Sequence, residues 1–170
     1  ENLTLNCGSS IDLDNGTTLT AGTPQTNTTT CHVTTNDQSG YNLSLADDRT
    51  TSNALYHTTN NSTQDGQIQD KTPWNTTSPN AQAWNGTGLG FGLLSSTATK
   101  NESWWGNANN CNDTTQLYAG LPDTDTNIME HTTYSNTHTD TTICYKLDIP
   151  STQLSGEYTG SVTYTAAGRP

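Results

Sequence analysis

The last part of the chain constrains the fold most, because it contains two runs in which apolar and polar side chains alternate. Alternation with a period of two is typical of half-buried β-strands. The apolar positions are Ile143, Tyr145, Leu147 and Ile149 in the first run and Tyr158, Val162, Tyr164 and Ala166 in the second. A break that contains Pro150 and Gly156 separates the runs. The stretch from Thr141 to Ala166 therefore predicts a β-hairpin that closes the core.

The composition extends this reading to the whole chain. Of the 170 residues, 28% are hydrophobic and 12% are charged, and about one in five is Thr. Thr is β-branched and fits the exposed face of a pleated sheet. The length suits one domain with a real core. We therefore expect a single all-β domain, residues 1–170, built as an antiparallel β-sandwich.

Four more alternating or β-rich segments predict strands upstream of the closing runs. They are Leu3–Cys7, Thr26–Thr35, Tyr41–Leu45 and Gly88–Leu94. The alternating glycines of the last segment predict close packing of a backbone or an aromatic ring. Between the strands, residues 47–86 and 95–130 are polar and rich in turn-forming residues, so we expect two irregular insertions.

The charge balance excludes several classes of partner. The sequence contains sixteen Asp and Glu residues but only five Lys and Arg residues, which gives a net charge of −11. A surface of this sign repels phosphate backbones and anionic headgroups, so we expect neither nucleic-acid binding nor membrane binding. No apolar stretch is long enough to span a bilayer. The opening ENLTLNCGSS lacks the pattern of an export signal, and we expect the mature form of an exported protein.

Four cysteines indicate two structural disulfides. Cys7, Cys31, Cys111 and Cys144 show neither paired CxxC zinc spacing nor a haem motif. Three pairings are possible; pairing neighbours in chain order favours Cys7 with Cys31 and Cys111 with Cys144. Four free buried thiols are the alternative.

Ten Asn-x-Ser/Thr triplets are candidate glycosylation sites. They begin at Asn2, Asn15, Asn27, Asn42, Asn60, Asn61, Asn75, Asn85, Asn101 and Asn112. A chain rich in Asn and Thr produces some triplets by chance, but they coincide here with paired cysteines and few lysines. Together these features predict an extracellular, cell-surface glycoprotein.

Three segments carry a resemblance to a known group of proteins. VTTN…SGYNLSLADD at residues 33–48, the glycine-interrupted GLGFGL strand, and IPSTQLSGEYTGSVTYTA resemble secreted, Thr-rich, immunoglobulin-like surface proteins of bacteria and archaea. The resemblance implies an immunoglobulin-like β-sandwich. Some members of similar size build extracellular filaments or adhesive pili, so it also implies a structural subunit whose partners are copies of itself.

The N-terminal segment is the candidate for joining such subunits. Residues 1–7 alternate like a strand, with Asn2, Leu3, Thr4 and Leu5 at their centre. An extended segment of one subunit can pair with an exposed sheet edge of the next. We therefore expect a homopolymer formed by strand addition. The alternative is a monomer whose first strand pairs within its own sheet.

A second candidate function is the binding of glycans or other cell surfaces. Trp74, Trp84, Trp104 and Trp105 lie in the polar insertions, where exposed indoles could stack on sugar rings. The alternative is that these rings supply burial in a chain with few other large apolar side chains.

Catalysis, cofactors and metals have little support in the sequence. No GxSxG motif is present, and the four histidines have no accompanying nucleophile pattern, so we expect no enzyme. We expect no cofactor and no metal: Asp12–Gly16 resembles the start of a calcium loop but is out of register, which favours a turn. Calcium at Asp47–Asp48 or at Asp123 stays open.

Overall fold

A computed structural model describes residues 2–49, 52–71, 78–94 and 100–170. The strands are β1 (Leu3–Asn6), β2 (Gln25–Thr35), β3 (Tyr41–Asp47), β4 (Asn53–His57), β5 (Gln67–Gln69), β6 (Gln82–Ala83), β7 (Gly88–Leu93), β8 (Leu117–Tyr118), β9 (Thr126–His131), β10 (Ser135–Asp148), β11 (Tyr158–Thr159) and β12 (Val162–Gly168). A helix α1 spans Glu102–Trp105 and a 3₁₀ turn spans Gln64–Gly66. In the described part of the chain, no helix is long and apolar enough to cross a bilayer.

The larger sheet has four antiparallel strands in the order β1-β2-β10-β7. The long strand β10 is central and pairs with β2 on one side and with β7 on the other. Burial alternates along β2, where Thr29, Cys31, Val33 and Thr35 face inwards and are buried. This is the pattern expected of a sheet with one face on a core and the other in solvent.

A three-stranded antiparallel sheet in the order β12-β3-β9 provides the second layer. Tyr41, Leu43 and Leu45 of β3 are fully buried. They belong to one core cluster with inward side chains of the larger sheet, such as Val33, and of β9, such as Ile128. Two sheets that share one core between their inner faces form a sandwich, so the all-β sandwich expected from the sequence is confirmed.

The closing runs are both strands, but the predicted hairpin is wrong. The first run lies in β10, within the four-stranded sheet, whereas β12 pairs with β3 and β11 with β4. Instead, β10 and β12 contact each other across the core, where the hydroxyls of Tyr145 and Tyr164 are hydrogen-bonded to each other. Alternation identifies a strand and its inner face but not its partner.

The two predicted insertions contain more regular structure than expected. In residues 47–86, β4 and β5 form a three-stranded sheet with β11, and β6 pairs with β8 from the second insertion. The strands are two to five residues long, too short for alternation to be visible in the sequence. The second insertion also contributes α1 and β9.

The glycine-rich strand β7 packs closely against its neighbours, as its sequence predicted. A Cβ atom at Gly92 would lie 2.3 Å from the Leu117 carbonyl oxygen, and one at Gly90 would lie 3.2 Å from the Trp84 ring. Because glycine has no side chain, the Leu117 backbone and the Trp84 ring can approach this strand closely.

Both disulfides join neighbours in chain order. Cys7 is bonded to Cys31 with a Cα–Cα distance of 4.1 Å, and Cys111 is bonded to Cys144 with a distance of 5.7 Å. The first links the segment after β1 to β2; the second fastens the irregular segment around residue 111 to the central strand β10. No free cysteine is present among the described residues.

Candidate functional site: an open edge between the two sheets

A groove of about 910 Å³ opens along one side of the sandwich. The irregular segment of residues 8–19 forms one wall, and residues 156–164, which include β11 and the start of β12, form the other. Its floor consists of core residues with 6% exposure or less: Ala54, Ile68, Leu89, Leu121, Tyr145 and Leu147. The groove therefore reaches down to the core of the sandwich, whose side chains at its floor are buried.

Side chains on this side of the molecule are incompletely covered. Val162, Tyr164 and Ala166 of β12 point towards the core but are only half-buried, whereas the inward side chains of neighbouring β3 are fully buried. Leu3 and Leu5 of β1 are half-buried in the same way. The β1–β12 side is thus open compared with the interior of either sheet.

The backbone on this side is open as well. β1 ends the four-stranded sheet and β12 ends the three-stranded sheet. The two strands approach each other, but in the described part of the chain they form no ladder with one another. An unpaired strand edge presents backbone donors and acceptors to an incoming strand.

The tyrosine pair in the groove is uncharged at neutral pH. Burial raises the pKa of Tyr145 well above its usual value, and Tyr164 next to it acts in the same direction. Burial also raises the pKa of Tyr164 to about 12. The groove therefore combines an apolar floor with neutral hydroxyls, while its acidic side chains Asp12, Asp14 and Glu157 lie in the two walls.

The predicted donor segment directly precedes the wall of the groove that begins at residue 8. In the single chain, β1 pairs with β2 in an antiparallel register that sets Leu3 opposite Thr35 and Leu5 opposite Val33. The Asn2 amide donates to the Asn36 side chain at 2.7 Å. Asn2 and Thr4 are exposed, so the strand presents one apolar and one polar face. The isolated chain thus pairs its first strand within its own sheet.

The tryptophans are placed differently from one another. Trp105 is fully buried, and its indole Nε1 donates to the Ile128 carbonyl at 3.1 Å, so its assignment to sugar binding is wrong. Trp104 is half-buried against the core. Trp84 is half-buried, packs edge-on against Tyr118, and has the ammonium groups of Lys71 and Lys146 over its ring. Trp74 lies outside the described residues.

The candidate glycosylation sites differ in accessibility. Asn2, Asn15, Asn60, Asn61, Asn85, Asn101 and Asn112 are exposed, Asn27 and Asn42 are half-buried, and Asn75 lies outside the described residues. Several of the side chains have structural partners. Asn101 caps α1 by accepting from the Ser103 amide, and the Asn27 amide group donates to the Asp12 carbonyl at 2.7 Å. Asn60 and Asn61 follow β4, where the Asn60 amide donates to His57 Nδ1 at 3.1 Å and the Asn61 carbonyl accepts from the Gln67 side chain at 2.7 Å.

Three carboxylates from distant parts of the chain meet at one end of the sandwich. Asp47 ends β3, Asp70 directly follows β5, and Asp123 lies between β8 and β9. Their ligand oxygens all lie within 4.8 Å of one another. Burial raises the pKa of Asp47 to about 6 and that of Asp70 to about 7, and the neighbouring carboxylates act in the same direction.

A second polar cluster lies on the outer face of the four-stranded sheet. His32 Nδ1 is 2.6 Å from Asp140 Oδ1, its cross-strand neighbour, and His138 Nε2 is 3.4 Å from the same oxygen. All three side chains are at least one-third exposed. A hydrogen bond between cross-strand neighbours accounts for the His32–Asp140 contact.

Asp12–Gly16 forms a turn, as expected. Asp12 Oδ1 accepts from the Asp14 amide and Asp14 Oδ1 accepts from the Gly16 amide at 2.6 Å. Asn15 and Gly16 both have positive φ, at 54° and 71°. Hydrogen bonds from the backbone thus occupy these carboxylate oxygens.

Two parts of these sites were missed from the sequence. Asp70 stands alone in a polar stretch, and only its burial and its contacts with distant residues distinguish it. Ile11, Leu13 and Leu19 form an apolar wall of the groove although they lie in an irregular segment. In the sequence, the two-residue spacing of Ile11 and Leu13 was the one signal that could have identified this wall.

Comparisons with known proteins leave the family open. No protein-family model and no curated protein matches the chain. A search of solved structures found a family 123 glycoside hydrolase from Clostridium perfringens, at 14% identity and a TM-score of 0.36. The match covers 97% of this chain and 24% of that enzyme's chain.

Proposed function

We propose that this protein is a structural subunit that assembles with copies of itself outside the cell, forming a surface filament by strand addition. The N-terminal strand of one subunit occupies the groove of the next, between its residues 8–19 and the start of its β12. The subunits are held together by noncovalent strand pairing, and the assembly involves no catalysed reaction. The protein acts through its copies, with cell surfaces as the other candidate partners.

The observation that carries this proposal is an apolar groove beside a strand edge that has no ladder partner in the described part of the chain. The groove has an apolar floor, and β12 offers half-buried apolar side chains and a backbone edge without a second ladder partner among the described residues. An added strand satisfies both needs, since its backbone pairs with the edge while alternate side chains enter the groove.

The segment Asn2–Asn6 has the chemistry that this groove requires. Leu3 and Leu5 are two residues apart and therefore share one face of a strand. Asn2, Thr4 and Asn6 form the other, polar face, which suits the outside of a sheet. The disulfide at Cys7 limits the exchanged segment to the residues before it, because Cys7 stays attached to β2 of its own subunit.

The covalent chemistry supports a location outside the cell. Two disulfides in one domain are typical of proteins from oxidising compartments. Most of the candidate glycosylation sites are exposed, and the acidic surface resists nonspecific association with nucleic acids and membranes.

The test places charge on the apolar face of the donor segment. We expect Leu3→Asp/Leu5→Asp to weaken assembly by at least about a hundred-fold, since burying each leucine contributes about 1.5–3 kcal/mol and 1.4 kcal/mol is tenfold in affinity. Assembly is measured by light scattering after size exclusion and by electron microscopy of stained filaments. The wild type should form linear polymers and the double variant should stay monomeric.

Thr4→Asp is the matched control, because Thr4 lies on the same strand but its side chain points outwards. It should assemble like the wild type. A peptide of the first six residues should inhibit wild-type assembly, and the same peptide with both leucines changed to Asp should not. A wild-type protein that stays monomeric at high concentration, or a double variant that polymerises normally, contradicts strand addition.

A further inference from the structure

We propose that Asp47, Asp70 and Asp123 bind a calcium ion that fastens together three segments at one end of the sandwich. None of the three carboxylates lines the groove, although the site adjoins it through Leu121 of the groove floor, whose amide donates to Asp70. The three residues come from the end of β3, the residue after β5 and the segment between β8 and β9.

Two carboxylate oxygens of the cluster residues are buried without a partner among the described residues. Asp47 is 8% exposed; its Oδ1 accepts from the Arg49 amide, while its Oδ2 is buried and accepts no hydrogen bond from the described part of the chain. Asp70 Oδ1 accepts from the Leu121 amide at 2.8 Å, and its Oδ2 is buried in the same way, with no partner in those ranges. A buried polar atom without a partner is costly, so each Oδ2 calls for a ligand.

The neighbouring protein groups supply little compensating charge. Arg49 is close enough to act on Asp47, but its Nε lies 3.0 Å from Asp48 Oδ1 and its guanidinium covers the Tyr56 ring. Asp48 is exposed and adds to the negative charge around Asp47. A divalent cation would offset the repulsion among the three carboxylates.

The donor set favours calcium over other common cations. All three side-chain ligands are carboxylate oxygens, which suit hard cations rather than zinc or copper. Calcium binds oxygen at about 2.3–2.6 Å, so two of its ligands can lie up to about 5 Å apart. The oxygens here lie within 4.8 Å of one another. Calcium also accepts six to eight ligands in flexible geometry, and water can complete the shell around exposed Asp123.

The ion would stabilise the junction between the second insertion and the sandwich. The Asp47 amide donates to the Pro122 carbonyl at 2.9 Å, so the segment of Asp123 is already adjacent to β3. A ligand that binds only the folded state raises its stability by mass action. In chelator-treated protein, calcium at a hundred-fold excess over its dissociation constant should raise the Tm by roughly 5–10 °C.

The experiment compares Asp123→Asn with Asp125→Asn. Both residues are exposed, lie in one segment and lose the same charge, but only Asp123 belongs to the cluster. Thermal unfolding and calorimetric titration with calcium chloride, at constant ionic strength, should show a response in the wild type and in Asp125→Asn that Asp123→Asn loses. No Tm shift at 10 mM calcium, or equal shifts in the two variants, overturns the proposal.

Asp70→Asn separates a metal site from a proton shared between the carboxylates. Asn can keep the hydrogen bond from the Leu121 amide through its carbonyl oxygen while removing one negative charge. We expect this variant to bind no calcium and to match or exceed the Tm of the chelated wild type. A calcium response that survives Asp70→Asn contradicts the site.

Discussion

Trp105→Ala is expected to lower the free energy of unfolding by about 3–5 kcal/mol, a large effect for a single substitution. The indole is fully buried and packs against Phe91, with 5.0 Å between ring centroids. Its removal leaves a cavity and also leaves the buried Ile128 carbonyl without its donor. Denaturant unfolding, monitored by circular dichroism, measures the loss.

Trp104→Ala is the matched control for this substitution. It changes the same residue type one position earlier in the same helix, but the Trp104 side chain is only half-buried. We expect it to cost much less than Trp105→Ala, with Trp105→Phe in between because Phe fills most of the volume without the donor. Equal costs at the two tryptophans would contradict the assignment of Trp105 as the core anchor of this helix.

Removing the second disulfide with Cys111→Ala/Cys144→Ala should lower the free energy of unfolding by about 3–4 kcal/mol. The bond closes a loop with a sequence separation of 33, and the loss of that constraint favours the unfolded chain. Cys144 is fully buried on the central strand β10, whereas Cys111 lies in an irregular segment. Amide exchange should therefore accelerate mainly in residues 106–116, measured by mass spectrometry.

Cys7→Ala/Cys31→Ala provides the comparison, since its loop has a similar sequence separation of 24. The cost from chain entropy should be nearly the same, but the exchange should accelerate around β1 rather than around residue 111. If both double variants loosen the same region, the disulfides do not act as local fasteners.

Most of the strands predicted from the sequence show alternating burial, whereas β7 is buried throughout and was recognised by its alternating glycines. Leu43 and Leu45 in β3, and Ile143 and Leu147 in β10, show the pattern clearly and lie in the core. The partner of a strand depends on tertiary contacts between distant segments, which no local pattern encodes. The hairpin error arose there, since β12 follows β10 in the chain but pairs with β3.

The candidate sites, like the strands, were predictable from local sequence patterns but not where they depend on tertiary contacts. The alternation of Leu3 and Leu5 marks a strand with one apolar face, and the structure places it at a sheet edge. The carboxylate cluster was only half visible, because Asp47 and Asp123 stand beside other acidic residues whereas Asp70 does not. Burial distinguishes Asp47 from its exposed neighbour Asp48, and burial is a property of the folded chain.

The Cys7–Cys31 bond has a mechanical consequence. A tension applied to residues 2–6 passes through the two sulfur atoms directly into β2, and from there into the central strand β10. Between the two cysteines, residues 8–24 lie outside β2; they correspond to about 60 Å of extended chain, and this length carries no load while the bond is intact. Reduction would release that length, so the oxidised protein should extend less under force before its sheets separate.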